Sequence, residues 1–581
     1  MRSLTGISLL IILFLISSGN AIYAQSTLVS NKSELDAALL TAGPGDTVIL
    51  KDQAWVGITM EINCMGAEGD SVVIRSETPG GASLEGGSRM TIGGDYVVID
   101  GFLITNGYNS ESAIVFNSGG RKATNCRLTN CMIDNWNPPD LATRFHWVVV
   151  YGENNRIDHC RFSNMNHSGV TVMVKAGSSQ PGHHRIDHNF FGPKPEGDGN
   201  GYESIKMGGG DDSMFPLYST VEYNYFYKCD GETELISNKS WENIYRYNTI
   251  YECQGTFTMR WGRKCHIEGN YFFGNGVKNT GGIRLSDQDH TVINNYFENI
   301  EGDDARAAIS VMSGIPDIEG GNSGHGQTKN ARILHNTIVG SSESLNVGYW
   351  DDDDLNDPRG DITAPENCTI ANNIIYSSYG PLIKEDWAPS INTTWLGNIL
   401  FGASAGIELD TGLILVDPGL VRSADGVMRL AEDSPAIDKA EGSFPEVLTD
   451  FEMQARDSMP DIGADEWSTA ERQPLPIGEE DVGPDWYVPT TSYRAVARPD
   501  RSIMVYPNPA SDRFYIGLSE SFIGISFSVE LIDLSGRKVL SQKFTPQSSD
   551  PEISTGELKG HYIVKISSNR EIRYSSVILG K

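Results

Sequence analysis

Basic residues are scarce: 45 lysines and arginines stand against 76 aspartates and glutamates in 581 residues, a formal net charge of −31. That balance argues against a nucleic-acid partner held through a cationic surface and is suited to solubility outside the cell. Cysteine is scarce as well, with eight residues. No two of them form a CxxC pair, so a zinc site is not expected. A disulfide framework and a set of buried free thiols both remain open, because five of the eight fall in strand-like segments. Past the N-terminus there is no second long apolar run, hence no expected membrane span in the mature chain. The leucine spacing and the helix per repeat of a leucine-rich array are missing, and the four-strand blades of a propeller would need a period near ~40 to 45 residues.

What is present begins with Met1 and Arg2, an apolar run, and small residues leading to Ala24. This is the pattern of a secretory signal peptide over 1–24. The remainder, with 39% hydrophobic and 9% aromatic residues in the whole chain, has the composition of folded protein. Its length predicts two or three units.

A short phrase recurs along it: RIDHCRF at 156, RIDHNFF at 185, TVEYNYF at 220, IYRYNTI at 244, HIEGNYF at 266, TVINNYF at 291, RILHNTI at 332 and TIANNII at 369. The central position is Asn189, Asn224, Asn248, Asn270, Asn295, Asn336 and Asn373 in successive copies, continued by Asn398 and preceded by Cys131 and Cys160. Units of this size cannot bury a core alone and must stack. The solution is an all-β fold, a right-handed parallel β-helix whose inward asparagines form a ladder.

The ladder supplies a register. Asn200 lies 11 residues after Asn189, Glu232 and Glu234 lie 8 and 10 after Asn224, Arg260 lies 12 after Asn248, and Arg284 lies 14 after Asn270. Similar offsets in consecutive coils place these residues on one face, with coils about 4.8 Å apart. Lys239 closes the coil that carries the two glutamates. Glu232 and Glu234, two apart, point to the same side of a strand. Oxygen donors so placed suit a hard divalent cation better than the opposed acid and base of a glycoside hydrolase.

Several stretches, NGYESIK at 200, ETELISNKSWEN at 232, CQGTFTMRWG at 253, GGIRLSD at 281 and DIGADEW at 461, together resemble polysaccharide lyase family 6, the alginate lyases and chondroitinase B. The similarity runs over roughly 27–467. It implies a Ca2+ ion held by Asn200, Glu232 and Glu234, Lys239 as catalytic base, Arg260 as catalytic acid, and Arg284 on the substrate carboxylate. The position after the catalytic arginine is often histidine in that family; here it is Trp261, which is expected to contact a sugar instead. The motifs resemble alginate lyases more closely than chondroitinase B, so alginate is the expected polysaccharide partner. A lyase of dermatan sulfate is the first alternative, weakened by nine Lys and Arg against twelve Asp and Glu in 201–290. A noncatalytic glycan-binding β-helix is the second.

After the expected lyase domain at 25–470, residues 471–500 are rich in proline and charge and read as a linker or a loosely packed cover. The segment 501–581 alternates strands with Pro and Ser-Gly turns, predicting a small C-terminal β-sandwich. Its YPNPA and DLSGRKV phrases resemble the type IX secretion sorting domain. That resemblance implies type IX secretion machinery as a partner and a secreted or cell-surface location.

Overall fold

The computed structural model describes residues 24–180, 182–209, 215–316, 324–350, 362–387, 389–408, 411–473 and 475–488, and in the C-terminal unit 503–506, 513–518, 526–533, 537–544, 552–556, 558–568 and 572–579. The expected signal peptide, apart from Ala24, lies outside the described residues.

Three parallel sheets of 14, 14 and 12 strands form a right-handed β-helix. The first sheet runs from Ser26–Val29 to Thr394–Leu396, the second from Ala54–Val56 to Leu413–Leu415, and the third from Thr59–Ile62 to Ile383–Glu385. Each coil turns from the first sheet to the second through one residue in the left-handed conformation. In successive coils this residue is His188, Tyr223, Tyr247, Gly269, Asn294, His335 and Asn372, with φ between 51° and 61°. Such a backbone costs a side-chain-bearing residue about 1–2 kcal/mol, and the next residue along the chain offsets it.

That next residue is the ladder asparagine. The Oδ1 of Asn270 accepts from the backbone N–H of Asn248 at 3.0 Å and from its Nδ2 at 2.9 Å. The Nδ2 of Asn270 in turn donates to Asn295 at 2.9 Å and to the carbonyls of Tyr245 and Glu268. The pattern repeats from Asn189 to Asn398, so the ladder amides satisfy one another. Replacing Asn270 by Ala orphans donors and acceptors in three coils. The expected loss is about 2–3 kcal/mol of unfolding free energy, measured as a lower urea midpoint, and an unchanged midpoint would contradict the ladder's role.

Phenylalanines stack the same way inside, Phe162 on Phe191 on Phe226 at 5.2 and 4.8 Å. All eight cysteines are buried and free, which settles the two thiol readings in favour of packing. The helix Lys32–Thr41 covers the first coil with Leu35 and Leu39, its N-terminus capped by the Asn31 side chain.

Beyond the last coil the chain folds back along the outside. Phe451 stacks on Tyr271 at 5.4 Å. Arg161 lies between Phe190 at 3.5 Å and Tyr487 at 4.4 Å and pairs with Glu479 at 2.9 Å. The Trp486 indole donates to the carbonyl of Asn130 at 2.8 Å. Residues 475–488, read from composition as linker or cover, are therefore packed against the β-helix. Their aromatic and aliphatic residues supply the contact that proline and charge conceal.

The C-terminal unit has a three-stranded antiparallel sheet, Ile503–Tyr506, Arg513–Leu518 and Glu552–Ser554, and a four-stranded one, Lys538–Phe544, Phe527–Asp533, Gly560–Ser568 and Ile572–Leu579. Phe514, Ile516 and Ile553 of the first share a core with Val529, Leu531, Val564 and Ile566 of the second, the packing of a small sandwich. No helix among the described residues is long and apolar enough to cross a membrane.

Candidate active site

The third sheet carries the site. Ile205, Ile236, Phe257 and Ile283 are register partners across four coils and point into the core. The next residues, Lys206, Ser237, Thr258 and Arg284, form a second registered column and therefore face the other way. Asn238 and Met259 are partners as well, so Lys239 and Arg260, which follow them, leave the sheet at matching points of successive coils. Their backbone N–H groups donate to Met207 and Asn238 at 2.8 and 3.0 Å.

Asn238 locks both turns. Wholly buried, it donates to the carbonyls of Ser240 at 2.9 Å and Trp261 at 3.1 Å, and it accepts from Asn243 and from the Tyr245 hydroxyl. At the other end of the same strand the register shifts between Glu234 and Ile236, and such a bulge re-aims a side chain. The Oε1 of Glu234 accepts from Nη1 of Arg260 at 3.0 Å.

The electrostatics follow from burial. Desolvation alone would raise the Glu234 carboxyl, but Arg260 and Lys239 overcome it and hold the group down at about 2. Lys239 is 8% exposed. Burial, aided by the charges of Lys206 and Arg260 and opposed by Glu234, pushes its ammonium down to about 8. Trp261 is 3% exposed, with Lys239 Nζ 5.1 Å and Arg260 Cζ 5.7 Å from its ring centroid and its Nε1 donating to Gly324 at 3.2 Å. Instead of offering an open face to a sugar, the indole is a wall behind the two cations.

Glu232 accepts from the N–H groups of Gly201 and Tyr202, both at 3.3 Å, which brings the loop of Asn200, itself exposed, to the same coil junction. Burial and the charges of Glu203 and Glu234 raise the Glu232 carboxyl to about 9. Glu203 went unnoticed in the sequence although it stands inside NGYESIK. It is 1% exposed, its Oε1 pairs with Lys206 at 2.5 Å, and its Oε2 has no hydrogen-bond partner. Beneath it the buried Lys194 donates to the carbonyls of Gly169 at 2.8 Å and Glu203 at 3.2 Å. Among the described residues no group of three or more His, Cys, Asp or Glu side chains is placed to hold a metal ion by itself.

A solenoid that brings a depressed lysine, an arginine and several buried carboxylates together along one sheet and its edge defines a class: β-helical proteins with a charged face. The family follows from comparison. The chondroitinase B family pattern matches residues 29–443, most of the chain, and the chain belongs to that family. A secretion-system C-terminal sorting domain matches 504–579, so the protein is exported, to the cell surface or beyond it. Among solved structures, the PL6 family alginate lyase AlyGC is 30% identical over 80% of this chain and 59% of its own, with a TM-score of 0.67. A mannuronic acid specific polysaccharide family 6 lyase enzyme from human gut microbiota is 27% identical over 68% of this chain and 92% of its own, TM-score 0.57. The PL6 family polysaccharide lyase Pedsa3628 from Pseudopedobacter saltans, 21% identical with a TM-score of 0.59, shares the fold. The chain spans about three-fifths of the length of AlyGC. None of the curated proteins compared with it matches.

Proposed function

We propose that this protein is a polysaccharide lyase that cleaves 4-linked uronate polymers, alginate foremost, by cation-assisted β-elimination. The observation that carries the reading is the Lys239 amine, buried, pushed down to about 8, and one coil from Arg260. Elimination begins with loss of the proton at C5 of a uronate, which only a neutral amine can accept. Lys239 is the base. Arg260, anchored through Nη1 on Glu234, presents its remaining N–H groups to the departing O4 and supplies its proton directly or through water. Arg284 receives a substrate carboxylate.

The carboxylates fit a hard divalent cation such as Ca2+. Among the described residues Glu203 leaves an oxygen buried without a hydrogen-bond partner, and Glu232 is raised by burial and by the charges of Glu203 and Glu234. Asn200, Glu232 and Glu234 would hold the ion, with Glu203 beside them. When bound it would neutralise the uronate carboxylate and so acidify C5. Alginate is preferred as substrate because two solved relatives above 25% identity are named as an alginate lyase and a mannuronic acid specific lyase. The test is the ultraviolet absorbance of a conjugated unsaturated uronate on mixing the protein with alginate and, separately, dermatan sulfate, with Ca2+ or chelator. A rise on alginate with Ca2+ is expected. A rise on dermatan sulfate alone would transfer the assignment to the sulfated polymer, and no rise on any polyuronate would leave a glycan-binding β-helix.

A further inference from the structure

Arg284 is 5% exposed and sits on the strand Ile283–Leu285, flanked in register by Thr258 and Ser310. Its Nη2 lies 2.8 Å from Nε2 of His325, 41 residues further along the chain. A guanidinium only donates. Nε2 is therefore the acceptor, and the imidazole in this contact is neutral with its proton on Nδ1.

The histidine is held in place from several sides. It is 4% exposed. The residue before it, Gly324, receives the Trp261 indole N–H at 3.2 Å, and the carbonyl of His325 receives the N–H of Ile315 at 3.0 Å. Two residues on, Gln327 donates through its backbone to Ile315 at 3.0 Å and through its side chain to Ala364 at 2.6 Å. Thr328 then ties the stretch to the strand of Arg284 itself, its hydroxyl donating to Leu285 at 2.9 Å. The stretch that carries the histidine is thus held by contacts independent of the arginine it meets.

The geometry points to His325 as a positioning residue that holds the Arg284 guanidinium in one orientation for a substrate carboxylate. This rests on the proposed role of Arg284. Arginine is long and rich in rotamers, and an arrangement fixed before substrate arrives saves the ordering cost at binding. A loss of such uniform binding raises KM and leaves kcat nearly unchanged. The Trp261 indole, which lies behind Lys239 and Arg260, also secures the histidine's stretch, so one side chain ties the positioning of Arg284 to the catalytic pair.

The experiment compares the full chain with His325→Ala, His325→Gln, Arg284→Ala and the double variant on alginate, each shown to melt like the parent. In His325→Ala, KM is expected to rise about tenfold with kcat within about threefold. His325→Gln, which keeps an acceptor, recovers most of the loss. The double variant is no worse than Arg284→Ala, because the histidine acts through the arginine. A substrate-free readout accompanies the kinetics: in protein labelled at arginine, the Nε–H resonance of Arg284 shifts in His325→Ala and returns towards its position in His325→Gln. An unmoved resonance, an unchanged KM, or fully additive effects in the double variant would overturn the assignment. If the parent chain shows no eliminase activity on any polyuronate, the function proposed above fails, and the arginine resonance alone still decides the pairing.

Discussion

Lys239→Ala is expected to lower kcat on a polyuronate by about a thousandfold, the contribution of a positioned general base, with substrate binding largely retained. The amine is useful only when unprotonated. At an ordinary lysine value of about 10.4 well under a thousandth of it would be free at pH 7. Pushed down to about 8 by burial and by Lys206 and Arg260, about a tenth is. Activity in the parent should therefore climb about tenfold per pH unit below pH 8 and level off above it, as the free-base fraction does. The residual activity of Lys239→Ala should lose that limb. A pH profile of kcat/KM for both proteins checks this, and a limb that survives in the variant would assign the base elsewhere.

Removal of divalent cations is expected to cost about a hundredfold or more in rate, because several kcal/mol of charge stabilisation would leave with the ion. Glu203 and Glu234 raise Glu232 electrostatically, and Glu234 opposes the lowering of Glu203 by Lys206; Lys206 and Arg260 each pair with only one of the three. Among the described residues Glu232 makes no such ion pair, so it is the group whose loss should weaken cation binding most. Calorimetric titration of Ca2+ into the cation-free protein should give a heat that Glu232→Gln reduces or abolishes, while folding, judged by circular dichroism, is unchanged. Equal heats in the two proteins would remove Glu232 from the donor set, whatever the activity shows.

The β-helix was legible because its dominant signal is periodic: an inward asparagine must recur once per coil, and the phrases around Asn189 to Asn398 do so. Counting from that ladder also brought Glu234, Arg260 and Arg284 to one face; the strand register places Glu234 and Arg284 on the third sheet, with Lys239 and Arg260 one residue past its strands. Glu203 was missed because an offset from the ladder does not tell which residues of a long turn fold back into the site. His325 carried no signal at all: a contact between residues 41 apart on different coils has no periodicity to read. The burial of Trp261 was out of reach for a related reason. Sequence places it after Arg260 but does not say whether the chain at the strand's end turns outward or beneath its neighbours, and Asn238, by holding the Trp261 carbonyl, fixes the second outcome. In 475–488 composition left linker and cover open, and Leu475, Ile477 and Trp486 decide for the cover although proline and charge dominate the count.

The central claim is that Lys239 and Arg260 break a uronate linkage by elimination, without adding water across it. The most direct measurement is mass spectrometry of the products of alginate digestion carried out in heavy-oxygen water. Elimination predicts new non-reducing ends one water lighter than hydrolysis would give, no heavy oxygen in the bond-breaking step, and the same products formed about a thousandfold more slowly by Lys239→Ala. Heavy oxygen built into saturated products at the cleaved linkage would mean hydrolysis and would contradict the account.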